Sequence, residues 1–285
     1  MRQFVLPASW EGGPDCRVTG REARQLLRVL RLGPGDRFPA LDTAGKRHSC
    51  EILSVDGASL LVAVSSSASS EEGGSLPDLR TRSPSASASP ALAEKPLSRP
   101  KDQVPPKLPR IILAAAQLKG EKFDLVVRQA TEAGVARIHP FTSSRSVGAE
   151  RGGGRRERQE RIIREALQQS GSSIVTRLEP GSRLESLPDS LGKPEGRRLS
   201  LLFHEAPLAE ATLHRYLGDA VDEIVVCVGP EGGFSPEEVE FLRGEGFLPI
   251  RLPGSVLRAE TAALFALAAV EIIYSERGSW IPETD

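Results

Sequence analysis

The stretch Val228-Gly229-Pro230-Glu231-Gly232-Gly233-Phe234-Ser235-Pro236-Glu237-Glu238 decides how this chain is read. An unbroken apolar run, residues 224–228, enters it as a buried strand would. Ser235-Pro236-Glu237-Glu238 leaves it as a helix start, with an N-cap serine, a proline at the first helical position and a capping-box glutamate. That cap accounts for the second half only. The first half, Gly229-Pro230-Glu231-Gly232-Gly233, exceeds what a turn needs and is read as a binding loop. Glycine lets backbone N–H groups approach a ligand closely. In open α/β sheets such loops lie beyond the carboxyl ends of the strands, where ligands bind.

About twenty residues on, Leu252-Pro253-Gly254-Ser255-Val256-Leu257-Arg258-Ala259-Glu260-Thr261-Ala262-Ala263-Leu264 repeats the logic, a glycine-bearing loop feeding a helix. The two loops suggest two walls of one pocket. Neither GxxxxGK[ST] nor GxGxxG is present, so a nucleotide held through its phosphates is not favoured. A ligand with an adenine ring, a ribose and no phosphate fits better.

Working outward, residues 110–280 alternate strand and helix. Strands are predicted at 111–116, 136–141, 173–177, 199–204, 223–228 and within 247–252. Helices are predicted at 120–133, 155–170, 208–217, 236–245 and 260–274, the last apolar nearly all round and hence buried or at an interface. This order implies a mostly parallel sheet with helices on both faces. Residues 1–64 read as a small β-rich domain with strands near 3–6, 37–41, 51–55 and 59–64 and a helix over 19–32. That helix carries Arg21, Arg24, Arg28 and Arg31 at spacings of three or four; a solvated basic face and RNA contact both fit. Residues 65–109, rich in Ser, Pro, Ala and Gly without an aromatic residue, read as a flexible linker. The third unit is then 110–285.

A net charge of −1 excludes a global basic signature for nucleic acid, though not a local patch. Cys16, Cys50 and Cys227 lie far apart without metal-ligand spacing, so a reducing compartment and no structural metal are expected. No run approaches the ~20 apolar residues that span a bilayer, and a cytoplasmic protein with no membrane role is expected. His48, His139 and His204 are read as packing residues. Arg151, Arg155, Arg156, Arg158, Arg161 and Arg164 interleave with Glu150, Glu157 and Glu160, as on a solvated helix face.

Gly229-Pro230-Glu231-Gly232-Gly233 followed by Leu257-Arg258-Ala259-Glu260-Thr261-Ala262-Ala263 resembles the signature of bacterial small-subunit ribosomal RNA uridine-N3 methyltransferases, of the SPOUT class. Lys119-Gly120-Glu121-Lys122-Phe123-Asp124, Gln129-Ala130-Thr131-Glu132-Ala133-Gly134-Val135, Arg145-Ser146-Val147, Gln168-Gln169-Ser170-Gly171 and residues 28–36 look like its other blocks. Gln25, Ser144 and Ala259 stand where that family often has a histidine, an acid and a threonine.

The resemblance implies a SPOUT-type trefoil-knotted α/β domain behind a PUA-like RNA-binding domain, and a homodimer. It implies S-adenosylmethionine as cofactor, bent among three loops represented here by Leu202, His204 and Glu205, by residues 229–233, and by Leu252, Leu257, Arg258, Thr261 and Ala262. The implied substrate is 16S ribosomal RNA, free or in the small subunit. Another RNA target, or a non-catalytic RNA-binding protein, are the alternatives. Methylating N3 of uridine requires loss of its proton or stabilisation of the developing anion. Arg145, Arg258 and Glu260 are the catalytic candidates, with Glu260 equally suited to a dipole-favoured structural role. Arg24, Arg28, Arg31, Lys119, Lys122 and Arg145 are the candidate RNA contacts, and phosphate contact by the arginines of 151–164 becomes as fitting as a solvated face.

Overall fold

The computed structural model describes residues 3–57, 59–66, 108–146, 154–205, 208 and 210–277. Most of the 65–109 linker, Val147 and Arg151 lie outside the described residues.

The first unit is a five-stranded sheet in the order β1-β3-β4-β5-β2, built from β1 (Phe4–Val5), β2 (Asp15–Val18), β3 (Arg37–Leu41), β4 (Arg47–Asp56) and β5 (Ser59–Ser66). β1 pairs in parallel with β3 and the other pairings are antiparallel. β2 escaped sequence reading because its alternation lasts only four residues: Cys16 and Val18 turn inward, Asp15 and Arg17 outward. The helix expected over 19–32 is two pieces, α1 (Gly20–Arg24) and a π-helical turn over Gln25–Val29. The wider turn closes with the Leu30 N–H on the Gln25 carbonyl at 3.1 Å. It keeps Leu26, Leu27, Leu30 and Leu32 all against the small core. Arg31 leaves it at φ 56°, a left-handed backbone unusual for a residue with a side chain.

The second unit is a parallel sheet in the order β12-β10-β11-β6-β7-β8, with β9 also on β7. Its strands are β6 (Arg110–Ala116), β7 (Arg137–Thr142), β8 (Arg177–Leu178), β9 (Ser182–Arg183), β10 (Arg198–Phe203), β11 (Glu223–Val228) and β12 (Leu248–Ile250). Strand residues alternate between two cores. Leu113, Ile224, Val226 and Phe203 face α2 (Lys122–Glu132), α3 (Arg155–Ser170) and α7 (Ala259–Glu276). Ile112, Val225, Cys227 and Leu202 face α4 (Leu187–Leu191) and α6 (Pro236–Gly244). Helices therefore cover both faces of the parallel sheet, as the βαβα order implied.

Two expected elements shrink. The helix expected at 208–217 is only α5 (Leu213–Tyr216), started by Thr212 accepting from the Arg215 N–H at 3.3 Å. The strand expected at 173–177 is reduced to β8, because the Ser172 hydroxyl accepts from the Ile174 N–H and curls the chain. Cys16, Cys50 and Cys227 are buried free thiols.

The two units are stitched together. The Gln3 side chain donates to the carbonyls of Leu167 and Ser172 at the end of α3, at 3.1 and 2.8 Å. Arg21 pairs with Glu165 at 2.9 Å, and Arg164 pairs with Glu22.

Candidate functional site

β12, β10 and β11 are neighbours and all run in parallel, so their carboxyl ends lie side by side. Three loops leave there, after Phe203, Val228 and Ile250. They enclose a cavity of about 350 Å³, within the usual range for small-molecule sites. Phe203, Val228, Phe234, Leu252, Leu257 and Ala262 give it an apolar lining; His204, Glu205, Glu231, Arg251, Ser255 and Arg258 bring polar groups to it.

The glycine loop is built as its sequence demands. Ser235 and Glu238 form a capping box, the Glu238 N–H on the Ser235 hydroxyl at 3.3 Å and the Ser235 N–H on Glu238 Oε2 at 2.8 Å. The other oxygen of Glu238 accepts from the Ser144 N–H at 2.7 Å and so docks the loop after β7. From that loop Arg145 reaches across, its Nη1 donating to the carbonyls of Gly232 at 3.0 Å and Phe234 at 3.2 Å. Phe234 is buried and stacks on Phe141, ring centroids 6.1 Å apart, and on His204 at 6.4 Å. A side chain at Gly229 would stand 2.9 Å from that ring, so only glycine lets Phe234 close the floor of the cavity. Lys122 at the start of α2 holds Glu231 at 2.9 Å. Burial works to raise the pKa of the Glu231 carboxyl, but the hydrogen bond from Lys122, a hydrogen bond from its own backbone N–H and the charge of Lys122 together outweigh it and hold it below the ordinary value.

His204 is anchored by its backbone N–H on the Ile250 carbonyl at 2.9 Å. Burial pulls its imidazole pKa down, with Arg145 adding to the effect and Glu205 opposing it. His139 is buried in β7, and neither ring nitrogen has a hydrogen-bond partner among the described residues. His48 is buried against Asp42 at 2.8 Å. Arg258 is exposed at the cavity rim and forms the N-cap of α7 through its backbone, leaving its guanidinium uncommitted among the described residues. Glu260, in the first turn of α7, has a buried Oε2 with no hydrogen-bond partner among the described residues.

The cavity thus brings together His204, Glu205, Gly229, Pro230, Glu231, Gly233, Leu252, Leu257, Arg258 and Ala262. Leu202, Gly232 and Thr261 do not line it. Strand alternation turns Leu202 into the opposite core and presents Phe203 instead. Gly232 packs on the stem of Arg145, and helical periodicity puts Thr261 on the exposed face of α7 while Ala259 and Ala262 face the cavity. Arg145 and Glu260 also lie outside the lining. Arg251, Phe234 and Val256 line it without having been singled out. Phe234 had a readable signal, an aromatic residue directly after the glycines. Lys119 is exposed, and Arg24, Arg28 and Arg31 lie on the other unit.

Both units of the chain are similar to known proteins. An RNA methyltransferase PUA domain matches residues 18–65, and an RNA methyltransferase domain matches residues 105–271. The ribosomal RNA small subunit methyltransferase E 2 of Borreliella burgdorferi is 32% identical over 161 residues, covering 55% of this chain and 64% of that one. The ribosomal RNA small subunit methyltransferase E of Bacillus subtilis is 24% identical, with 91% of each chain covered. Among solved structures, the Neisseria gonorrhoeae ribosomal RNA small subunit methyltransferase E bound to S-adenosyl methionine superposes with a TM-score of 0.71 at 23% identity, covering 96% of this chain and 98% of that one. With the matched domain spanning more than half of its residues, the chain belongs to the RNA methyltransferase family.

Proposed function

We propose that this protein methylates N3 of a uridine in 16S ribosomal RNA, with S-adenosylmethionine as methyl donor. One observation carries the reading: the apolar, three-loop cavity at the carboxyl ends of β12, β10 and β11, rimmed by Arg258. The residues fit the cofactor. An apolar lining suits an adenine ring, Glu205 suits hydroxyl or amino groups, and no phosphate cradle is present in the quoted loops. When bound, S-adenosylmethionine supplies an electrophilic methyl group on a sulfonium.

The chain's own contribution is positioning and electrostatics. Arg145 sets the shape of the glycine loop through the Gly232 and Phe234 carbonyls. Arg258 is placed to stabilise negative charge on the uracil as its N3 proton leaves. Glu260 presents a carboxylate oxygen that has no donor among the described residues, at the start of α7, where the helix dipole favours it.

The knot expected of this class is part of the proposal, supported by the strand order β12-β10-β11-β6 and by the packing of α7 against the buried faces of β11 and α2. So is a homodimer. On α7 the spacing of Thr261, Leu264, Phe265, Ala268 and Ile272 lays one stripe, and Leu264, Phe265 and Ile272 are exposed on it. Among the described residues no helix is long and apolar enough to cross a membrane, and ribosomal RNA as substrate supports a cytoplasmic place of work.

Incubating the protein with methyl-labelled S-adenosylmethionine and small ribosomal subunits that lack the modification tests the reading. Labelled 3-methyluridine in the 16S RNA is the expected product; no labelled uridine would overturn it.

A further inference from the structure

We propose that the cleft between the two units is a docking site for the phosphate backbone of the substrate RNA, separate from the methyl-donor cavity. The proposal rests on the functional reading above and names where on the protein the RNA is held. The cleft has a volume of about 750 Å³ and is walled by α1 and its π-helical turn on one side, α2 and α3 on the other. Among the described residues six arginines and three glutamates line it, in a chain whose overall net charge is −1.

The acids do not neutralise it evenly. Glu165 is taken by Arg21 and Glu22 by Arg164, and these two pairs cross between the units and fix the walls. Arg24, Arg28, Arg128 and Arg161 are exposed and form no ion pair among the described residues. Four uncommitted guanidiniums drawn from four elements of two units are more than wall-building requires. Guanidinium is the side chain best matched to phosphate oxygens.

A backbone feature marks the same wall independently. The π-helical turn over Gln25–Val29 widens the helix where it faces the cleft, and such turns concentrate at functional sites. Between the arginines the turn presents Val29, 72% exposed, an apolar surface for a ribose or base.

The cleft connects physically to the donor cavity through α2. Arg128 lies six residues, about 9 Å along the helix axis, from Lys122, which holds Glu231 on the glycine loop. RNA gripped at Arg128 therefore lies on the same rigid element that props one wall of the cavity.

The test measures binding of a 16S ribosomal RNA transcript, and of small subunits, across a salt series. The variant Arg24→Ala, Arg28→Ala, Arg128→Ala, Arg161→Ala is compared with wild type and with the same four positions changed to Lys. Each arginine–phosphate pairing removed lowers the slope of log K against log salt by about 0.7 to 0.9, so the alanine variant should bind more weakly with a slope smaller by about 3. The lysine variant should regain most of it, which a packing defect would not. Affinity for S-adenosylmethionine should stay at the wild-type value, showing an intact fold. An unchanged slope in the alanine variant, while wild type still methylates RNA, overturns the cleft and leaves the functional reading standing. Weakened binding to whole subunits with unchanged binding to the transcript also overturns it, and assigns the cleft to a ribosomal protein surface. Wild type that neither binds RNA nor transfers methyl groups overturns the functional reading itself.

Discussion

Arg145 and Gly232 fit one another: Arg145 Nη1 donates to the Gly232 carbonyl at 3.0 Å, and the Arg145 Cβ lies 3.2 Å from where a Gly232 side chain would begin. The same nitrogen donates to the Phe234 carbonyl at 3.2 Å. A residue on the loop after β7 thereby shapes the loop after β11 without lining the cavity between the strands' ends. The Ser144 N–H on Glu238 fastens this arrangement from the other side, at 2.7 Å.

Removing this clamp should loosen the cofactor more than the fold. Arg145 is exposed, so Arg145→Ala should shift the melting temperature little. Losing a charged donor from two loop carbonyls should weaken S-adenosylmethionine about tenfold, the effect of roughly 1.4 kcal/mol. Titration calorimetry reads this directly. Unchanged cofactor affinity with weakened RNA binding would instead place the weight of Arg145 on the substrate.

Gly229→Ala should damage stability and binding together. Its Cβ would meet the Phe234 ring at 2.9 Å, and that ring is buried and stacked on Phe141 with no room to swing. Overpacking of this kind costs about 1–3 kcal/mol. Urea denaturation should show a loss in that range, with cofactor binding reduced in the same protein. Gly232→Ala, facing the Arg145 stem at 3.2 Å, should be milder.

The sheet order could not be read from the sequence, but the elements that build it could. Glu223–Val228 is buried at every position, and its residues 224–228 stand out as an apolar run; the capping box after it follows from Ser235 and Glu238 alone. Leu202 shows the limit of counting along a chain. It neighbours the site in sequence, yet period-two alternation turns it into the opposite core. The engagement of Arg145 with the glycine loop links residues 87 positions apart, and no local pattern carries that. β2 and the π-helical turn were illegible for another reason: both are short, and tertiary packing of Val18 and Leu26 decides them.

His139 should make the protein acid-sensitive. Burial, with the charges of Arg137 and Arg198, lowers its pKa from 6.5 to about 4. A histidine whose folded pKa is depressed binds fewer protons in the folded state, so stability is fully present above pH 6.5 and falls as the pH drops toward 4. The span corresponds to about 3 kcal/mol. His139→Phe removes the titration without removing a hydrogen bond, since neither ring nitrogen has a partner among the described residues. Unfolding free energies between pH 7 and 4 should fall less steeply in the variant; parallel curves would show that His139 is protonated at no cost.

Arg258→Ala should separate chemistry from binding. The side chain is exposed at the cavity rim and caps α7 through its backbone only, so the fold should be unaffected. If it meets charge that develops on the uracil, kcat should fall by about 10²-fold or more with cofactor affinity nearly unchanged. Single-turnover methylation with saturating S-adenosylmethionine measures this. A wild-type rate would remove Arg258 from the mechanism.

Phe265→Arg should dissociate the proposed dimer. Phe265 is 50% exposed and Ile272, two turns along, is 54% exposed, on a helix whose opposite side is packed against the sheet. A charge at the centre of an apolar interface is left desolvated and unpaired, which costs several kcal/mol. The same charge on a solvent-facing helix costs little. Sedimentation equilibrium should therefore show wild type as a dimer and Phe265→Arg as a folded monomer. Two monomers with equal melting temperatures would mean that the stripe faces water. Because Thr261 heads this stripe while Ala262 beside it lines the cavity, the monomeric variant should also lose cofactor affinity, by placing the mouth of the site next to solvent instead of a second copy.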